Sequence, residues 1–144
     1  MRLKNYTNLP SDQVRAVVRA VCPPGVTCFD VRISNGQAFR ARAYPQGSGY
    51  HATADPFIVC IIQKKEHVTI KPHGAYLGMA IGSRLEQLVV LVAHELRHLW
   101  QAKHNKGKVW GSRGRFSERD ADAYALKMLR RFRRGELIGG GVTP

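Results

Sequence analysis

Residues 88–100 read Leu88-Val89-Val90-Leu91-Val92-Ala93-His94-Glu95-Leu96-Arg97-His98-Leu99-Trp100, an apolar run into which one charged pentad, His94 to His98, is set. Just upstream, Ser83-Arg84-Leu85-Glu86 is a capping box, the signature of a helix start. Leu85, Leu88, Val89, Val92, Leu96 and Leu99 then recur at helical spacing. The pattern predicts a core helix from about Arg84 to about Lys103, roughly 30 Å long. On it His94 and His98 stand about 40° apart around the axis and about 6 Å apart along it. Both imidazoles can therefore reach one cation, which would satisfy one ring nitrogen of each in a place where buried polar groups need partners. Glu95 lies about 100° round from His94, close enough to act on a water held by that cation.

Two ligands and a general base on one helix is the arrangement of zinc hydrolases, which need a third protein ligand and one open position. His104 has the spacing of the pattern His-Glu-x-x-His-x-x-Gly-x-x-His, but Gln101 stands where that pattern has a helix-breaking glycine. An unbroken helix would carry His104 about 15 Å past His94. Glu118 is the better candidate. It and Asp122 are one helical turn apart on a second helix, so both project from one face. Glu118 can ligate the metal while Asp122 accepts a hydrogen bond from the other nitrogen of a ligating histidine. Taken alone, Glu118, Asp120 and Asp122 would equally suit a helix N-terminus as surface acids. Ala121, Ala123 and Ala125 are small enough to let this helix approach the first closely.

His94-Glu95-Leu96-Arg97-His98 followed by Glu118-Arg119-Asp120-Ala121-Asp122 resembles the gluzincin zinc metallopeptidases, whose motif is His-Glu-x-x-His and then Glu-x-x-x-Asp. It is most similar to the minigluzincins and to the catalytic cores of prenyl-protein endopeptidases. Asp120 departs from the glutamate that pattern often carries. The match spans roughly residues 57–134, and its specific part is two five-residue motifs. The resemblance implies Zn2+ held by His94, His98 and Glu118, with Asp122 behind a ligand and Glu95 as base. It also implies a small sheet, an active-site helix and a glutamate helix. SprT-like proteases share the compact build and basic charge but take a different third ligand.

The remaining elements frame an α+β expectation: a small twisted sheet of three or four strands, at least partly antiparallel, packed on the two helices, with a short N-terminal helix. Val14, Val17, Val18 and Val21 predict that helix over Ser11–Val21, with Ser11 as cap and Pro23-Pro24-Gly25 as stop. Phe29–Ile33 and Phe39–Tyr44 alternate on either side of Asn35-Gly36 and predict a β-hairpin. Phe57–Ile62 is a strong strand, which if it is the sheet edge above the cleft would hold an extended peptide by backbone pairing, and His67–Ile70 is a further one. Pro45–Pro56, with Tyr50 and His51, reads as a loop, as do Pro72–Gly82 and the basic Asn105–Phe116. Trp110 in the last suits a lid or an anchor equally. Ser117 is expected to cap the glutamate helix, which should end near Arg134, where Gly135 can terminate it. A loose tail is expected from about 136.

At 144 residues the chain is expected to form one domain, 1–144, with one core. No apolar run reaches the ~18 residues of a membrane span, and the N-terminus lacks the apolar region of a secretory signal, so the expected location is cytoplasmic. Cys22 and Cys28 can close a small disulfide loop that leaves Cys60 over; in the cytosol all three are expected as reduced thiols. The net charge of +13 points to polyanions or acidic substrates. The leading expectation is therefore a zinc-dependent endopeptidase with a shallow cleft and weak activity. Tyr124, His73, Arg113 and Arg119 are the candidates to steady a developing oxyanion. The alternatives are a basic zinc domain that binds nucleic acid, or brings proteolysis to DNA-bound proteins, and a purely structural domain.

Overall fold

The computed structural model describes residues 1–45, 55–104 and 115–137, with the side chains of 115 and 116 excepted. The elements run β1 (Leu3–Asn5), α1 (Ser11–Val21), β2 (Asp30–Gly36), β3 (Arg40–Tyr44), β4 (Phe57–Gln63), β5 (Val68–Ile70), β6 (Met79–Ile81), α2 (Arg84–His104) and α3 (Arg115–Arg133). Most of the expected loops Pro45–Pro56 and Asn105–Phe116, namely 46–54 with Tyr50 and His51 and 105–114 with Trp110 and Arg113, lies outside the described residues, as does the chain beyond 137.

The α+β architecture is as expected: a mixed four-stranded sheet in the order β1-β2-β4-β3, and a separate antiparallel pair, β5-β6. β1, β2 and β4 are parallel, and β3 runs antiparallel to β4. Two expectations fail here for one reason. β2 and β3 do not form a hairpin, because β4 inserts between them, and β4 is an inner strand rather than the edge. Asn35-Gly36 makes no hairpin turn. It belongs to the β2 ladder, where Gly36 pairs with Gln63. A Cβ at Gly36 would come within 2.6 Å of Ile61 Cγ2, so the glycine serves close strand approach. Asn35 is likewise committed, accepting a hydrogen bond from the Arg84 guanidinium.

One sheet face carries Val31, Ile33, Ile58, Cys60 and Ile62, all buried, and packs against α1 and α2. α1 contributes Val14, Val17, Val18 and Val21. Its cap differs from expectation: Pro10 occupies the N-cap position, and Ser11 instead accepts a hydrogen bond from Asn5. Ser83 does cap α2, its Oγ accepting from the Glu86 N–H. The start of α2 is fixed to the sheet by buried Gln87, which accepts from Gln63 N–H at 2.8 Å and donates to the Lys65 carbonyl at 2.7 Å.

α3 packs antiparallel to α2. Its end meets the start of α2 through Arg133 and Glu86, and its first turns meet the second half of α2 through Glu118 and Asp120. Ala121 and Ala125 are fully buried in α3, whereas Ala123 faces solvent and takes no part in the approach. The helix starts at Arg115, so Ser117 sits in its first turn rather than at the cap. Its end is as expected. Gly135 has φ +72°, its N–H bonds the Phe132 carbonyl, and the Glu136 N–H bonds that of Arg131, a Schellman stop. Leu137, at the expected start of the tail, is buried in the core. All three cysteines are free thiols, with Cys60 buried. No helix among the described residues is long and apolar enough to cross a membrane.

Candidate metal centre

α2 presents His94 and His98 on the side that α3 covers, and α3 brings Glu118 up to them. His94 Nε2 lies 3.0 Å from Glu118 Oε2, and His98 Nε2 lies 2.9 Å from Glu118 Oε1. The two Nε2 atoms are 3.2 Å apart, with the rings nearly perpendicular at 76°. These three side chains offer ligand atoms that all lie within 4.8 Å of one another. Nitrogens that bind one ion tetrahedrally at about 2.0–2.1 Å stand about 3.3 Å apart, close to the spacing between the histidines.

The hydrogen bonds behind the rings point the same nitrogen of each inward. His98 Nδ1 lies 2.8 Å from Gln101 Oε1. The Gln101 amide nitrogen donates to the Ser117 carbonyl and to Asp120 Oδ2, so its oxygen must accept, and His98 Nδ1 carries the proton. His94 Nδ1 faces Asp122 Oδ1 at 3.4 Å. The other Asp122 oxygen accepts the Leu77 N–H at 2.6 Å, which anchors the carboxylate to the strand-to-strand connection. Both Nε2 lone pairs are thereby turned to the same point, and a dicationic metal fits this His-His-Glu set. Asp120 has its own place: Arg97 donates to it at 2.8 Å, and it holds Gln101, which holds His98. Arg97 is in turn sandwiched against Trp100, 3.7 Å from the ring centre.

Without a metal the set is held by protons. Burial disfavours a charged His94, but the carboxylates of Asp122 and Glu118 outweigh it and raise its pKa from 6.5 to about 9. Burial also opposes charge on His98, and Glu118 again wins and raises it. The hydrogen bonds from both rings hold Glu118 far below the ordinary carboxylate range. The stabilisation of protonated His94 is complete below pH 6.5 and is lost as pH rises through about 9. That of Glu118 is present above pH 4.5 and is lost only in acid. Metal-free protein should thus lose on the order of 3 kcal/mol between pH 6.5 and 9. Its melting temperature should fall by about 10 °C, whereas metal-loaded protein, with the proton displaced, should not show this fall. A flat melting profile of chelated protein over that range would contradict the arrangement.

Glu95 is 6% exposed, and burial raises its carboxyl pKa, partly offset by His94 and His98. It stands outside the ligand set. His104 does as well: α2 continues unbroken to it, its ring stacks on Trp100 at 4.1 Å, and its Nδ1 meets the Trp100 carbonyl. Of the expected oxyanion candidates, Tyr124 is committed, its hydroxyl donating to the Val21 carbonyl. His73 and Arg119 are exposed and, among the described residues, bond to none of the three ligands. The residue that sequence reasoning missed is Tyr76. The chain folds back between His73 and Tyr76 and lays this ring beside His94, 6.5 Å between centres and 18° from parallel. Partial burial and the nearby Glu118 carboxylate raise its pKa, which keeps the phenol protonated. Nothing in the local sequence marks Tyr76; its placement depends on the connection from Pro72 to Gly78 and on Asp122 gripping Leu77.

No family model, curated protein or solved structure matches the chain.

Proposed function

We propose that the chain is a zinc-dependent peptidase of gluzincin type, with His94, His98 and Glu118 as ligands and Glu95 as general base. The observation that carries this reading is the convergence of three metal-ligand side chains from two helices beside a buried carboxyl that belongs to none of them. Zinc, when bound, supplies a water of lowered pKa and a Lewis acid for the scissile carbonyl. Glu95 accepts the proton of the attacking water and delivers that proton to the leaving amine. Asp122 and Gln101 keep the histidines in the tautomers that leave Nε2 free. To Tyr76 we assign the donation of a hydrogen bond to the developing oxyanion, a role supported by its ring lying beside His94 and by its nearness to Glu118.

With β4 inside the sheet, the edge strand that packs on α2 is β3, and among the described residues no strand pairs its outer edge. An extended peptide would add to the sheet there by backbone pairing. The test is purified protein with about one zinc per chain, assayed on unfolded casein. Cleavage should stop with a chelator and return with added zinc. Protein that holds zinc stoichiometrically and cleaves neither casein nor a mixed peptide library would overturn the peptidase reading.

A further inference from the structure

The second face of the four-stranded sheet carries a different chemistry. Side chains alternate along each strand, so the residues between the buried ones point away from the helices. Lys4, Arg32, Arg40 and Arg42 do so, and all four are exposed. The register sets three of them in one cross-strand row: Lys4 lies opposite Arg32, Arg32 opposite Val59, and Val59 opposite Arg42. Arg40 stands in a neighbouring row, opposite Ile61. Like charges directly opposite one another, as Lys4 and Arg32 are, destabilise a sheet. A row of cations with no acid among its members is therefore a cost to folding that an anionic partner would relieve.

Rings are interleaved with these cations. Tyr6, 58% exposed, lies under the Arg32 guanidinium at 5.2 Å. Tyr44 stacks on Phe57 at 4.5 Å with an interplanar angle of 16°, and Arg42 sits 5.6 Å from the Tyr44 ring. Among the described strand residues of this sheet the one acid is Asp30, which Arg2 pairs with at 3.1 Å, and Arg2 itself is exposed. The candidate metal ligands are on α2 and α3, and the sheet face that packs against α2 is the opposite one, so the proposal does not rest on the peptidase reading, although the Arg42 charge also acts on Glu95.

We propose that this sheet face binds single-stranded nucleic acid, with phosphates along Lys4, Arg32, Arg40 and Arg42 and unpaired bases on the Tyr6 and Tyr44–Phe57 rings. Charge alone would suit any polyanion; the rings select the occupant. Bases that are free to stack use them, whereas a duplex hides its bases and a lipid headgroup or acidic peptide has no flat face to offer.

The experiment is fluorescence anisotropy of the full chain with a labelled single-stranded oligonucleotide of about 12 nucleotides. Binding should weaken with salt with a log–log slope of about −3, as expected for four phosphate contacts. Arg32→Glu with Arg42→Glu should weaken it at least tenfold. Arg19→Glu with Arg130→Glu, an equal change of net charge on exposed helix positions, should weaken it less than threefold. Tyr6→Ala should weaken it about fivefold, a loss that charge alone does not produce. Circular dichroism and zinc uptake check folding, and Arg32→Gln with Arg42→Gln replaces the first pair should it misfold. Equal losses for the two charge-reversal pairs would overturn the proposal. So would duplex DNA or phosphatidylserine vesicles bound as tightly as the single strand, or no binding at about 50 mM salt.

Discussion

Glu95→Gln should lower peptide hydrolysis by about 10²–10⁴-fold, the range a positioned general base supplies. Glutamine keeps the shape of the side chain but cannot accept and return a proton. Zinc content should be unchanged, because Glu95 is not one of the three converging ligands. Stability provides a second readout with the opposite sign. Burial raises the Glu95 pKa above its ordinary value, so the ionised form is a burden on the folded state at neutral pH. Removing that charge should leave the protein equally or more heat-stable, as when a site is built for reaction at the expense of stability. An inactive, zinc-replete and undiminished fold would place the defect in proton transfer. Unchanged cleavage would refute the assignment of the base.

Glu118→Ala should weaken zinc binding by more than about a hundredfold. The scale follows from its neighbours: changes behind the ligands typically cost 10–100-fold, and a lost ligand must exceed them. Asp122→Asn and Gln101→Leu fall in that lower range, since each leaves the ligand set complete while freeing a ring to rotate. Gln101→Leu should act mainly through His98, the ligand that Gln101 hydrogen-bonds, and secondarily through the first turn of α3, which Gln101 holds at Ser117 and Asp120. The ranking is more informative than any single value. Should Glu118→Ala bind zinc as the parent does, or Gln101→Leu lose more than Glu118→Ala, the ligand set would be wrong. Replacing His104, which stacks on Trp100 away from the site, should leave zinc affinity unaltered.

The site was more legible in the sequence than the sheet around it. The pentad, its helix and the one-turn spacing of Glu118 and Asp122 are local patterns, and local patterns fix which side chains share a face. Strand order is not local. Asn35-Gly36 suggests a turn on its own, but Gly36 is there for the approach of Ile61, a residue far along the chain. One signal did point to the true order. Phe57 to Ile62 is apolar at every position, which suits a strand with neighbours on both sides better than an edge. β1 and β6 have three residues each, too few for a period to show. Gln101 and Tyr76 illustrate the remaining gap. The same Gln101 that argued against a helix break proves to orient His98, through partners on α3 that no spacing rule connects to it. Tyr76 reaches the site only because the connection before β6 doubles back.

Those long-range contacts meet at one point, which a zinc-edge anomalous diffraction map of the zinc-loaded protein would locate. The expected result is a single peak bounded by His94 Nε2, His98 Nε2 and the Glu118 carboxylate, at bond lengths of about 2.0–2.2 Å, with one position left to solvent. A peak held by other side chains, or zinc-equilibrated crystals without a peak between α2 and α3, would contradict it.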